Sequence, residues 1–297
     1  MKIIRPVEVV AADLTSDVAI TEIEWTAGTY ETGDLRYVGT DLYQVVAIPD
    51  TTDEPTAGAD KEPKTWLKVG KINRFKMFSG IVSEKTEQTG APINVTIDSG
   101  QLVNAVAFFG VDASEITLTI TDPTDGVVFS HTEAMVDNSA IVDGFTYCFE
   151  PIVRKDEVAF VGLPSYATAT VTAQISAGVS DVACGEMVIG SSLDLGITLL
   201  EFTAGIRDFS RKEVNVFGDF EIVRRRFSKF AEFDVLMDKR LASNVLRTLA
   251  DRRALPTVWI GNPDDPETII YGFYANHSLL RVAPGYSELS IEIEGLT

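Results

Sequence analysis

Three consecutive arginines, Arg224, Arg225 and Arg226, stand in a chain of 297 residues whose formal net charge is −19. A guanidinium run can grip phosphate, hold a reacting anion or pair with carboxylates. A chain this acidic repels a polyanion, so stable nucleic-acid binding is not expected. The charge is also uneven. Residues 1–206 carry 30 acids and 12 bases, residues 207–253 carry 8 acids and 12 bases, and residues 254–297 carry 6 acids and 1 base. One basic segment inside an acidic chain points to pairing with acidic protein surface, within the chain or between copies. In an extended strand, Arg224 and Arg226 share a face with Phe220 and Ile222, while Arg225 joins Glu221, Val223 and Phe227. The stretch E288-L-S-I-E-I-E294 alternates cleanly and puts Glu288, Glu292 and Glu294 on one face with Ser290. The expected interface sets Arg224, Arg225 and Arg226 against Glu288, Glu292 and Glu294. The plain alternative is a solvated charge run.

Other chemistry has less to stand on. The two histidines, His131 and His277, lie in strand-like context and read as ordinary strand residues. No G-x-S-x-G, phosphate loop or H-E-x-x-H occurs. The acidic N262-P-D-D-P-E267 lacks the spacing of a calcium loop, and its prolines favour a surface turn. Cys148 and Cys184 match no metal or redox spacing; two buried thiols are expected, with a single disulfide the alternative. The expectation is a chain without catalytic residues, metal or cofactor.

The elements that must position these residues are mainly β. Residues 1–80 read as a small β-module, with turn glycines Gly28, Gly33 and Gly39 between pieces too short for helices. Residues 81–190 hold a series of short runs rich in Thr, Val, Ile and Phe, among them 93–98, 103–109, 116–121, 145–149 and 167–176. These fit an antiparallel, jelly-roll-like sandwich. Residues 191–297 read as an α+β domain, with strands near 196–203 and 215–231 and one amphipathic helix in 238–253. That helix would be capped by Asp238 and would carry Leu241, Val245, Leu246 and Leu249 on one face. The first 20 or so residues are expected to pair with the sheet of this last domain. No run approaches the roughly 20 apolar residues of a membrane helix, so no membrane insertion is expected, and Arg5, Pro6 and Glu8 interrupt any signal-peptide pattern.

Between Trp25 and about Val69, Trp25, Tyr30, Gly33, Asp34, Tyr37, Gly39, Tyr43 and Trp66 form a framework that resembles the small chitin- and cellulose-binding modules of bacterial chitinases. The resemblance implies Trp25, Tyr30, Tyr37, Tyr43 and Trp66 as carbohydrate-binding candidates. Those modules carry a sugar-stacking ring just after the position of Tyr43, where this chain reads Q44-V-V-A-I-P49 with no aromatic. The opening M1-K-I-I-R-P-V7, W66-L-K-V-G-K-I-N-R-F-K-M-F78 and A204-G-I-R-D-F-S-R-K-E-V-N-V-F-G218 together resemble tail-tip and baseplate virion proteins of tailed bacteriophages, in particular distal tail proteins.

That resemblance implies a tail-tube-like C-terminal domain and a structural protein of the virion, made in the bacterial host cytoplasm. It implies a symmetric ring of identical copies, six first and three second, joining the tail tube to other tail-tip proteins and host-recognition components. If the basic segment lined a tube lumen it would meet DNA, whereas an acidic lumen would let DNA pass without holding it. The rival expectation is a carbohydrate-binding adhesin or tail fibre that recognises cell-surface glycans.

Overall fold

The computed structural model describes residues 1–214, 217–263 and 265–296. The chain opens with β1 (Lys2–Pro6) and β2 (Leu14–Ser16), then builds a small module from β3 (Tyr30–Glu31), β4 (Leu35–Val38), β5 (Asp41–Val45), β6 (Asp50–Thr51), the one-turn α1 (Pro55–Ala59) and β7 (Trp66–Lys71). Strands β4, β5 and β7 form a three-stranded antiparallel sheet, and β3 pairs with β6. Gly39 makes the β4–β5 turn at φ +63°, a conformation that costs a side-chain-bearing residue.

The next segment comprises β8 (Thr86–Gln88), β9 (Ile93–Ile97), β10 (Ala105–Phe109), β11 (Glu115–Asp122), β12 (Gly126–Ala134), β13 (Val136–Asp137), α2 (Gly144–Phe149), β14 (Val153–Arg154), β15 (Glu157–Val161), β16 (Thr170–Ser176), β17 (Val182–Cys184) and β18 (Glu186–Asp194). A five-stranded sheet in the order β12-β11-β16-β9-β2 supplies one layer, and β15-β10-β18 supplies the other. Period-two patterning makes the core: Ile116, Leu118 and Ile120 of β11 and Ile93, Val95 and Ile97 of β9 meet Val106, Phe108 and Ile189.

The last segment contains β19 (Ile197–Asp208), β20 (Arg211–Val214), β21 (Phe220–Val223), β22 (Phe227–Asp238), α3 (Ala242–Asp251), β23 (Thr257–Ile260), β24 (Ile269–Ala283) and β25 (Tyr286–Gly295). Its sheet is continuous with that of the sandwich, giving nine antiparallel strands in the order β15-β10-β18-β1-β23-β24-β25-β22-β19. Strand β1 is the splice: Ile3 lies opposite Leu193 on one side and Trp259 on the other. The N-terminal pairing with the last domain holds for β1, whereas β2 joins the sandwich through β9. A close approach makes the splice possible, since a Cβ on Gly190 would collide with the Arg5 carbonyl oxygen.

Several local expectations are corrected. Residues 145–149 are helical, because the Asp143 side chain accepts the Thr146 N–H at 2.8 Å and closes a capping box. Helix α3 begins at Ala242. Asp238 ends β22 instead, its carboxylate taking the Arg240 N–H at 2.8 Å. Ala242, Val245, Thr248 and Leu249 are the buried stripe of α3, while Leu241 and Leu246 are exposed. The expected strand 215–231 is broken in two by the Arg224–Arg226 segment, and its Asn215 and Val216 lie outside the described residues. Cys184 is buried but Cys148 is exposed on α2, and both are free thiols.

Candidate assembly surface

The aromatic framework of the first module faces inward. Trp66 is wholly buried and Tyr30 and Tyr43 nearly so, with Val45 completing the core and Trp25 packed against it. Tyr30 meets Trp66 edge to face at 5.6 Å, and the Trp66 indole N–H donates to the Asp53 carbonyl oxygen at 3.0 Å. A buried ring offers no face to a sugar, so Tyr30, Tyr43 and Trp66 do not stack ligands. Tyr37 is half-exposed on β4, where its backbone bonds to Ile23 and Trp25. These residues are brought together as a scaffold.

Arg224, Arg225 and Arg226 do not lie in a strand. They link β21 to β22, and all three are exposed. The Arg225 N–H donates to the Ser210 hydroxyl at 3.0 Å and the Arg226 carbonyl accepts the Phe209 N–H at 3.2 Å, so the backbone is pinned while the side chains stay outward. Among the described residues, no ion pair joins them to a carboxylate. The final strand has other partners. Glu294 pairs with Arg207, and Glu292 accepts the Asn276 amide N–H at 3.1 Å. Glu288 sits opposite Leu236 and Leu280. The expected pairing of the arginines with Glu288, Glu292 and Glu294 is therefore not made within one chain, because the break after Val223 turns the arginines off the sheet.

Two features of the last domain stand out. Strand β19 ends the nine-stranded sheet, so among the described residues one side of it has no neighbouring strand. Beyond it, β20 and β21 form a two-stranded arm in which no residue is buried, with Val214, Phe217, Phe220 and Ile222 all exposed. The outward face of the sheet is acidic: a groove of about 740 Å³ is lined by Glu201, Glu232, Asp234, His277 and Glu292, with Glu232 directly opposite Glu292. Sequence reasoning located the basic run but missed the arm, whose signal was the set of large apolar residues interleaved with Arg211, Lys212 and Arg224–Arg226.

Two buried acids also went unread. The Glu157 carboxylate in β15 pairs with the Lys229 ammonium in β22 at 2.5 Å, linking the sandwich to the last domain. Burial pushes Glu157 up to about 7 against the pull of Lys229. Glu186 in β18 accepts the Gly80 N–H at 2.9 Å, and burial pushes it up to about 8. Burial, and then the nearby Glu186, raise Tyr271, which stacks on Phe109 at 5.4 Å. Among the described residues, no three His, Cys, Asp or Glu side chains gather to hold a metal, and no helix is long and apolar enough to cross a membrane. His131 sits beside Glu133 at 3.5 Å and His277 packs on Tyr274; both are strand residues.

No protein-family model matches the chain, and no curated protein matches it in sequence. Among solved structures, a selenomethionine-labelled mutant of chitosan-binding module 1 from a chitosanase/glucanase of Paenibacillus sp. IK-5 is similar at 11% identity. The match covers 40% of this chain and 84% of that one, with a TM-score of 0.27. At that score the likeness is distant.

Proposed function

We propose that the protein is a structural component of a bacteriophage tail tip or baseplate, assembling with copies of itself into a symmetric ring that connects the tail tube to host-recognition components. The observation that carries this reading is the β20–β21 arm. A two-stranded arm with no packed face is marginal in water, and this one, which prolongs the β19–β22 pair, exposes five large apolar side chains beside a 12-residue strand at the sheet's edge. Such a surface is suited to being covered by another chain. The arginines at its base have no carboxylate partner among the described residues of their own chain, which favours the between-copies alternative for their pairing. A ring needs two different complementary patches on each copy, and a basic arm on an otherwise acidic chain supplies surfaces of opposite sign. The sugar-binding reading gains nothing from Tyr30, Tyr43 and Trp66, whose rings are buried in the first module's core.

The test is solution mass by light scattering at low and high salt, for the native protein and an Arg224→Glu/Arg225→Glu/Arg226→Glu variant. A discrete hexamer or trimer, dissociated by salt and by the variant, is expected. A native protein that stays monomeric at every salt concentration and at high protein concentration would remove the argument from the arm.

A further inference from the structure

The sandwich carries a second exposed apolar feature that the assembly reading does not yet use. Residues 138–153 leave it between β13 and β14 as a knob around α2, and no residue of α2 is buried. Phe145, Tyr147 and Phe149 are 70–75% exposed, and Val142 and Ile152 nearly 80% or more. The knob is nonetheless ordered from within. The Thr146 hydroxyl accepts the Val142 and Asp143 N–H groups at 3.1 and 3.0 Å, the Phe145 and Phe149 rings lie 4.7 Å apart, and the β13–β14 pair ties the base. Preformed, outward-facing rings lose little freedom on docking, which is the property of a contact surface.

Charge indicates the occupant. Between residues 138 and 153 the chain has Asp143 and Glu150 and no Lys or Arg, so an anionic lipid surface is repelled. The arm and its base, residues 211–226, hold five bases against three acids. Both features are apolar, their charges are opposite in sign, and every copy has one of each. They also spring from adjacent points, since the Lys229–Glu157 pair lies two residues from the start of β22 and three from the end of β14. Within one chain the two tips leave that junction without covering each other, as the exposure of Phe145 and Phe220 requires.

Resting on the ring-assembly reading above, we propose that the acidic aromatic knob of one copy covers the basic apolar arm of a neighbouring copy. Each feature then buries the other's rings, with Arg224–Arg226 within reach of Asp143 and Glu150 across the contact.

The exposed Cys148 in the knob makes this testable, because the only other cysteine, Cys184, is fully buried and unreactive by comparison. Ile222→Cys, and separately Val214→Cys, place a thiol on the arm at exposed positions. After diamide oxidation, non-reducing electrophoresis should show covalent dimers and higher species that disappear when Cys148→Ser is added. Persistence of the scattering oligomer without Cys148-dependent products at either arm site would overturn the proposal and leave the ring reading standing. A two-cysteine product that migrates as a monomer, or equal dimer yield from the native chain alone, would also overturn it: the arm then folds onto its own knob, or knob meets knob. Monomers under every condition would sink both readings together.

Discussion

Replacing Glu186 by glutamine should make the protein more stable, and increasingly so as pH rises. The carboxylate is 5% exposed, sits opposite Phe109 in the sheet and has the Gly80 N–H as its hydrogen bond, with Lys71 acting only from a distance. Its folded value of about 8 lies above the ordinary 4.5. Below pH 4.5 the acid is neutral in both states and costs nothing; above pH 8 it is charged in both, and folding bears the full cost of burying it. Stability therefore falls as pH rises through this window. The gap of about 3.5 pH units corresponds to at most about 5 kcal/mol at ~1.36 kcal/mol per unit, of which roughly 2–3 kcal/mol develops between pH 6 and pH 9. Glutamine keeps an acceptor for Gly80 and removes the charge, at a pH-independent cost of about 1 kcal/mol for its added amide N–H groups. Urea unfolding of both proteins at pH 6, 7.5 and 9 isolates the effect, because every other titrating group is common to both. The stability difference should move toward the variant by about 2–3 kcal/mol across that range. A difference that is flat with pH, or that favours the native protein more at pH 9 than at pH 6, would refute the assignment of a buried, unpaired carboxylate.

Lys229→Met removes the only cation paired with Glu157 among the described residues. It should cost about 3–5 kcal/mol near pH 8.5 and much less at pH 6, where the carboxyl takes up a proton; the pH dependence of the urea midpoint checks it. Trp66→Ala should cost the first module about 3–5 kcal/mol and melt it ahead of the rest of the chain in a thermal scan followed by near-UV circular dichroism. A Trp66→Ala protein that stays folded yet loses retention on chitin or cellulose would instead restore a sugar-binding role to that ring.

Much of the fold was readable because period-two alternation is a local signal. Ile93, Val95 and Ile97, or Ile116, Leu118 and Ile120, declare a strand with one buried face without reference to anything distant. The same alternation misled at Phe145, Tyr147 and Phe149, where a capping Asp143 and the Thr146 hydroxyl close a turn of helix that spacing alone does not reveal. The aromatic framework was visible, but its side chains' direction was not: whether Tyr30 and Trp66 face water or each other depends on how three short strands pack. The arginines show the same limit. A run of basic residues can be read from the letters, whereas the break after Val223 that takes them out of the sheet depends on where β20 and β21 part from it. Glu157 and Glu186 left no mark in the sequence, because two acids among 44 are singled out only by what the finished sheet packs around them.

The acidic outer face of the last domain's sheet gives that charge distribution a physical logic. Glu232 and Glu292 stand directly opposite each other, an arrangement that costs rather than stabilises in an antiparallel pair. Only part of that cost is offset inside the chain, by the Asn276 amide donating to Glu292. Among the described residues, no Lys or Arg side chain forms an ion pair with Glu232 or Glu292. Keeping the bases on a projecting arm and the acids on a packed sheet leaves each copy electrostatically incomplete. Salt then acts in two opposing ways: it screens the Glu232–Glu292 repulsion within a copy and weakens any attraction between arm and acidic surface across copies. A chain with its charges evenly mixed would show neither effect. If copies assemble as proposed, this segregation would couple their association to ionic strength.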